Sequence, residues 1–184
     1  MLKLPDNERY ELIDGTLVER QRSFWAAYVA VEVYALLSTF CRENRLGWVV
    51  PLGASYQCFP GHVAKVRRAD VSFLRANRLS TEQATQEGHL RIAPDLAVEV
   101  ISPNDLYYDV EEKLNEWLEA SVRLVWVVNP RTRQVRIHRA DGRDVTVKEN
   151  DQLSGAVRLR SWSQACPAAG DRRTDWGRKR RPRR

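Results

Sequence analysis

The sequence predicts an α/β sandwich: a mixed central β-sheet flanked by helices. Three observations carry that expectation. A strand–helix–strand unit spans residues 92–129, where LAVEVI and RLVWVV lie on either side of a helical segment. Two strands joined in this way need a crossover, usually helical, on one face of the sheet. A second long apolar segment, FWAAYVAVEVYALLSTFC at 24–41, supplies a helix before the run of strands. The chain has 184 residues, 43% of them hydrophobic, which suits one compact domain with its own core.

The elements follow in order. YELIDGTLVER, residues 10–20, reads as two short strands around Asp14-Gly15, a strong hairpin signal. A helix is expected over 23–45, with Ser23 as its N-cap and Gly47 ending the segment. It is apolar on most sides, which predicts contact with its own sheet and with a second subunit. WVVPLGASYQCF, 48–59, gives extended pieces broken by Pro51 and Gly53, and KVRRADVSFLR, 65–75, gives the next strand. Residues 76–90 are polar and read as a loop with a helical turn. A strand at 92–101 closes at Ser102-Pro103, and Asn104 or Asp105 caps a helix over 105–120. RLVWVVNP, 123–130, is a buried strand. Residues 134–140 and 144–149 form a late hairpin around Asp141-Gly142.

Composition narrows the function classes. The sequence pI of about 9.5 points to nucleic acid, but its source is local. Residues 171–184 carry eight basic and two acidic residues, which accounts for the whole net charge of +6. The remaining residues balance, 22 basic against 22 acidic. The expected division is therefore a folded domain over 1–160 and a poorly ordered basic tail over 161–184. Cys41, Cys58 and Cys166 lie far apart and show no CxxC spacing, as expected of a reduced, cytoplasmic chain. MLKLPDNERY lacks the continuous apolar core of a signal peptide, and Glu32 interrupts the apolar run at 24–41, so no membrane association is expected. His62, His89 and His138 lack zinc-ligand spacing, and no Walker A, GxGxxG or GxSxG motif is present. No organic cofactor is implied.

The unusual residues are acids in apolar strands. Side chains alternate along a strand, so Asp95, Ala97, Glu99 and Ile101 share one face, and Leu96, Val98 and Val100 take the other. A mid-strand carboxylate at Glu99 is costly to bury without a partner. Asp70 opens the strand DVSFL, Lys113 lies on the helix after Glu99, and Glu11 lies in the first strand. Two carboxylates on neighbouring strands can hold one Mg²⁺, which takes few protein oxygens and keeps several waters. A lysine beside them can stabilise charge on a reacting phosphate. Each residue also has a structural assignment. Asp70 follows Arg67 and Arg68, which offer a surface ion pair. Asp95 after Pro94 fits turn chemistry. Glu11 fits an ordinary hairpin position. Lys113 among Glu111, Glu112 and Glu116 fits a salt-bridged helix face.

The order of these segments resembles a known family. YELIDGTLVE, RRADVSFL, APDLAVEVISPND and DVEEKLNEWLEASVRLVWVVNP are similar to the Uma two family of restriction endonucleases, a branch of the PD-(D/E)XK nuclease superfamily. The resemblance covers roughly residues 8–155; beyond it, the C-terminal segment departs from the family pattern. It implies a restriction-endonuclease-like sandwich and a Mg²⁺-dependent DNA endonuclease, with Mn²⁺ as substitute. By position, the superfamily's second-strand acid falls on Asp70 and its (D/E)xK acid on Glu99. The lysine expected two residues later is replaced by Ile101, which points to Lys113 on the following helix. Glu11 matches a recurrent family acid. The implied site is thus Asp70, Glu99, Lys113 and Glu11, with Asp70 and Glu99 as metal ligands and Asp95 as a secondary candidate. Arg67, Arg68, Arg75, Arg78 and Arg91 cluster around it in sequence and are the expected DNA contacts, completed across a homodimer. Two other functions stay open: a catalytically inactive nuclease-fold module that binds nucleic acid or protein, and a structural homodimer whose acids are only ion-paired. The joint presence of Asp70, Glu99 and Lys113 favours the endonuclease.

Overall fold

The computed structural model describes residues 10–20, 22–148, 152–153 and 157–158. The expected domain boundary at 160 and the basic tail 161–184 lie outside the described residues. The chain opens with β1 (Tyr10–Ile13) and β2 (Thr16–Glu19), an antiparallel hairpin. Asp14 and Gly15 turn it with φ of 46° and 81°, the positive values that a two-residue hairpin turn requires. Helix α1 (Phe24–Glu43) follows, and then β3 (Gly47–Pro51), β4 (Val71–Arg75), the short helix α2 (Thr81–Thr85), β5 (Leu96–Val100), α3 (Tyr107–Glu119), β6 (Leu124–Asn129), β7 (Gln134–Arg139) and β8 (Val145–Lys148). A short antiparallel pair, β9 (Gln152–Leu153) with β10 (Val157–Arg158), comes last.

Strands β3 to β8 form one sheet in that spatial order. Every pairing is antiparallel except β5 with β6, where α3 makes the crossover. The α/β class and the mixed sheet expected from the sequence are therefore present. Alternation along the strands sorts the two faces. Val71 of β4, Leu96, Val98 and Val100 of β5, and Trp126 and Val128 of β6 pack against Ala26, Val29, Ala30, Val33 and Leu37 of α1. On the other face Leu74, Ala97 and Val125 pack with Leu114 and Trp117 of α3, under Tyr56 and Phe59. Helix α1 is long and apolar enough to span a bilayer by composition alone, yet its most apolar stripe is spent on this core.

Local differences from the sequence expectation have physical causes. Ser23 caps α1 as expected, its Oγ accepting from Ala26 N at 3.1 Å. The helix stops at Glu43, however, with Asn44 as C-cap and Arg45 in the left-handed region at φ 52°. Gly47 does not end the helix but opens β3, where a Cβ would meet Leu74 O at 2.0 Å. Neither Asn104 nor Asp105 caps α3. Its N-cap is Leu106 without a side-chain bond, because the Asp105 carboxylate accepts from Ser102 N at 2.7 Å and closes the preceding turn. The strand expected at 65–75 is divided. Val66 bridges Leu12 and Arg67 bridges Tyr56, and only Val71–Arg75 joins the sheet. This division matters for the site, since the Leu12–Val66 bridge brings the β1–β2 hairpin over the end of β4.

Candidate active site

Glu99 is the fourth of the five residues of β5, on the face covered by α3, and 6% of it is exposed. One turn spacing on α3 brings Lys113 and Trp117 to the same helix face. Trp117 Nε1 donates to Glu99 Oε1 at 2.9 Å, and Lys113 Nζ donates to Glu99 Oε2 at 2.9 Å. Asp70 lies just before β4, the strand beside β5. Its Oδ2 accepts from Val100 N at 2.7 Å and fixes the carboxylate against β5. Glu11 comes from the hairpin. Its Oε1 accepts from Arg68 N and from Lys113 Nζ, each at 2.9 Å. Lys113 Nζ completes its three donors on Arg68 O at 2.8 Å. Glu11, Asp70, Glu99 and Lys113 thus meet in one buried cluster, although 102 positions separate the first from the last.

Two arginines that sequence reasoning missed close this cluster. The Arg20 guanidinium lies 3.5 Å from Glu11 Oε1, 3.4 Å from Asp70 Oδ1 and 3.2 Å from Glu99 Oε2. It also donates to Arg68 O at 2.8 Å. Arg22 Nη2 lies 2.5 Å from Asp70 Oδ1. A signal for Arg20 was available in the hairpin. Glu11 pairs with Val18 across β1–β2, so the residue two beyond Val18 lies on the face that carries Glu11. Glu116, one turn from Lys113, fits a salt-bridged helix face in the sequence. It is buried instead, bound by Lys65 Nζ at 2.6 Å and Arg67 Nε at 2.5 Å.

Charge balance here is set by opposing effects. Burial raises the Glu11 carboxyl, but Lys113, Arg20 and Arg67 outweigh it and hold it at about 2. For Glu99 burial wins. Its carboxyl is raised above the ordinary value despite Lys113 and Arg20, with Asp70 and Glu11 adding repulsion. Burial lowers the Arg20 guanidinium, and the facing carboxylates more than reverse that, so it stays charged.

Other expected site residues stand elsewhere. Asp95 shares the Glu99 face of β5 but is four positions, roughly 13 Å, away along the strand. Its carboxylate binds Arg75 Nε at 2.9 Å and Arg78 Nη1 at 3.0 Å, and accepts from Arg75 N at 3.0 Å. Asp95 is therefore an ion-paired anchor at the far end of the strand and not a member of the cluster. Two of the five arginines expected to contact DNA lie in the interior instead. Arg67 and Arg68 are buried; Arg67 binds Glu11 and Glu116, and Arg68 donates to Tyr10 O and Gly53 O. Arg75 and Arg78 are ion-paired with Asp95 but keep 44% and 33% of their side chains exposed, and Arg91 is exposed.

The cluster opens on a cleft of about 480 Å³ lined by Arg20, Arg22, Glu99, Ser102, Asp105 and Lys113, among others. Among the described residues no three acids, histidines or cysteines stand as a ready metal cage. Asp70 and Glu99 nevertheless converge on one cation, and that cation is the Arg20 guanidinium. Their oxygens suit Mg²⁺ or Mn²⁺ in kind and number, since Mg²⁺ is often held by one or two carboxylates and waters. Such an ion would have to replace the Arg20 and Arg22 guanidinium groups on these oxygens.

Comparison with known proteins bears on the fold and the family. No curated protein matches the chain. A crystal structure described as a putative nuclease belonging to DUF820 from Anabaena variabilis ATCC 29413 superposes with a TM-score of 0.69, covering 87% of this chain and 88% of that one. At 19% identity that likeness is one of fold. The model of the Uma2 family, described as "Putative restriction endonuclease", matches residues 1–167. This span includes the hairpin with Glu11, both acidic strands and the lysine-bearing helix, and on that match the chain belongs to the Uma2 family.

Proposed function

We propose that this protein is a metal-dependent DNA endonuclease that hydrolyses phosphodiester bonds at the Glu11–Asp70–Glu99–Lys113 cluster. The observation that carries the reading is the convergence of Asp70 and Glu99, from adjacent strands, on a single cation with Lys113 Nζ 2.9 Å from Glu99. Asp70 and Glu99 would hold the divalent ion. When bound, such an ion neutralises charge on the phosphodiester and makes a water more acidic. Lys113 offsets part of the cost of burying charge on Glu99 and sets a positive charge beside the place where phosphate charge builds up. Glu11 fixes Lys113 through their 2.9 Å contact. Trp117 orients the other Glu99 oxygen, so the carboxylate has one rotamer to present. DNA as substrate rests on the family description.

The test is cleavage of duplex, single-stranded and branched DNA with Mg²⁺ or Mn²⁺, run beside Glu99→Gln. Cleavage that needs the metal and disappears in a folded Glu99→Gln protein is the expected result. Cleavage in EDTA, or unimpaired in Glu99→Gln, overturns the reading. DNA bound but never cut transfers the protein to the inactive binding module. The same reading includes a homodimer with the second copy over the outer side of α1, where Phe24, Trp25 and Val31 remain 85%, 38% and 49% exposed. Light scattering should report twice the chain mass, and a monomer at high concentration refutes the dimer.

A further inference from the structure

The buried ionic network is already compensated without a metal. Four buried acids, Glu11, Asp70, Glu99 and Glu116, face five bases, Arg20, Arg22, Lys65, Arg67 and Lys113. A divalent cation added to this set would stand against two guanidinium groups in a water-poor place, where like charges repel strongly. The ion can enter only if positive charge leaves. Lys65, Arg67 and Lys113 are at most 9% exposed in their side chains, and each is held by buried carboxylates. Arg20 and Arg22 differ. Their side chains are 21% and 23% exposed at the mouth of the cleft, and both lie on the connection between β2 and α1, outside regular structure. Arg22 Nε is buried with no hydrogen-bond acceptor among the described residues, so its guanidinium is only partly used where it rests.

We propose that Arg20 and Arg22 are the phosphate ligands of this site, held on its acids in the metal-free protein and turned to nucleic-acid phosphate when a divalent cation takes their place. The inference rests on the nuclease reading above. Guanidinium is suited to both partners, since its planar fork matches carboxylate and phosphate alike. A cation that displaces the arginines frees them for the anionic substrate, and a phosphate that captures them vacates the cation position. By linkage each ligand then strengthens the other's binding by the same factor. This also accounts for a nuclease-family chain in which four of the five expected DNA contacts, Arg67, Arg68, Arg75 and Arg78, are buried or ion-paired: phosphate-binding charges are stored inside the site.

The experiment is calorimetric titration of the metal-stripped full chain with Mn²⁺ alone, for the parent protein, Arg20→Gln, Arg20→Lys and Arg22→Gln. A second readout is the affinity for a phosphorothioate DNA oligonucleotide with and without Mn²⁺. Arg20→Gln and Arg22→Gln should bind Mn²⁺ about tenfold more tightly, within the usual range of coupling between two ligands. Both should lose most of the Mn²⁺-dependent gain in oligonucleotide affinity. Arg20→Lys keeps the charge and should keep the parent Mn²⁺ affinity. Unchanged or weaker Mn²⁺ binding by folded glutamine variants overturns the proposal and leaves the nuclease reading standing. Mn²⁺ binding to none of the four proteins overturns both. Should Arg20→Gln fail to fold, Arg22→Gln decides the matter, because its ion pair is with Asp70 alone among the described residues.

Discussion

Glu11 offers a test of the electrostatics that needs neither metal nor substrate. Its carboxylate is 3% exposed and accepts from Arg68 N, Lys113 and Arg67 at 2.9, 2.9 and 3.2 Å. Burial disfavours the charge, yet Lys113, Arg20 and Arg67 hold the group at about 2, against an ordinary glutamate value of 4.5. The folded chain therefore holds this proton less tightly than the unfolded chain does. The resulting stabilisation is fully present above 4.5 and disappears as pH falls towards 2. A shift of that size corresponds to about 3 kcal/mol, close to the usual cost of breaking one partner out of a buried ion pair. Glu11→Gln keeps the shape and its oxygen can still accept from Arg68 N and Lys113, but it removes the negative charge and turns a donor towards Arg67. Urea denaturation in EDTA across the acid to neutral range should show the variant less stable by about 3 kcal/mol at neutral pH, with the difference closing as pH falls towards 2. A difference that is flat with pH, or that grows on acidification, would refute the argument.

Asp95→Ala separates anchoring from chemistry. It should lower the unfolding midpoint by removing the acceptor of Arg75 N and the partner of Arg75 and Arg78, an effect on the order of 1–3 kcal/mol. The cleavage rate per folded molecule should stay at the parent value, and a loss of rate without a loss of stability would return Asp95 to the site. The other expectations, metal-dependent cleavage lost in Glu99→Gln, a dimer over α1, and tighter Mn²⁺ binding by the arginine variants, are checked by the measurements given with each.

The amino-acid sequence by itself determined the elements and their faces. The Asp14-Gly15 turn, the Ser23 cap and the alternation in LAVEVI are local properties. They place Glu99 on the opposite side of β5 from Leu96, Val98 and Val100 whatever the rest of the chain does. Helical spacing likewise sets Lys113, Glu116 and Trp117 on one stripe of α3. The tertiary structure decided which charges meet. Lys113 could have paired along its own helix with Asp109 or Glu116; packing of α3 on β5 gave it Glu99, and docking of the hairpin through Leu12 and Val66 gave it Glu11. The same docking buried Arg67 and Arg68, which no local pattern distinguishes from surface arginines, and carried Arg20 into the space between three acids. Charge pairing acts over a few ångströms of space and is indifferent to distance along the chain. The order of residues can therefore name the acids of this site, but only the packed fold shows that a cation of the chain's own already stands among them.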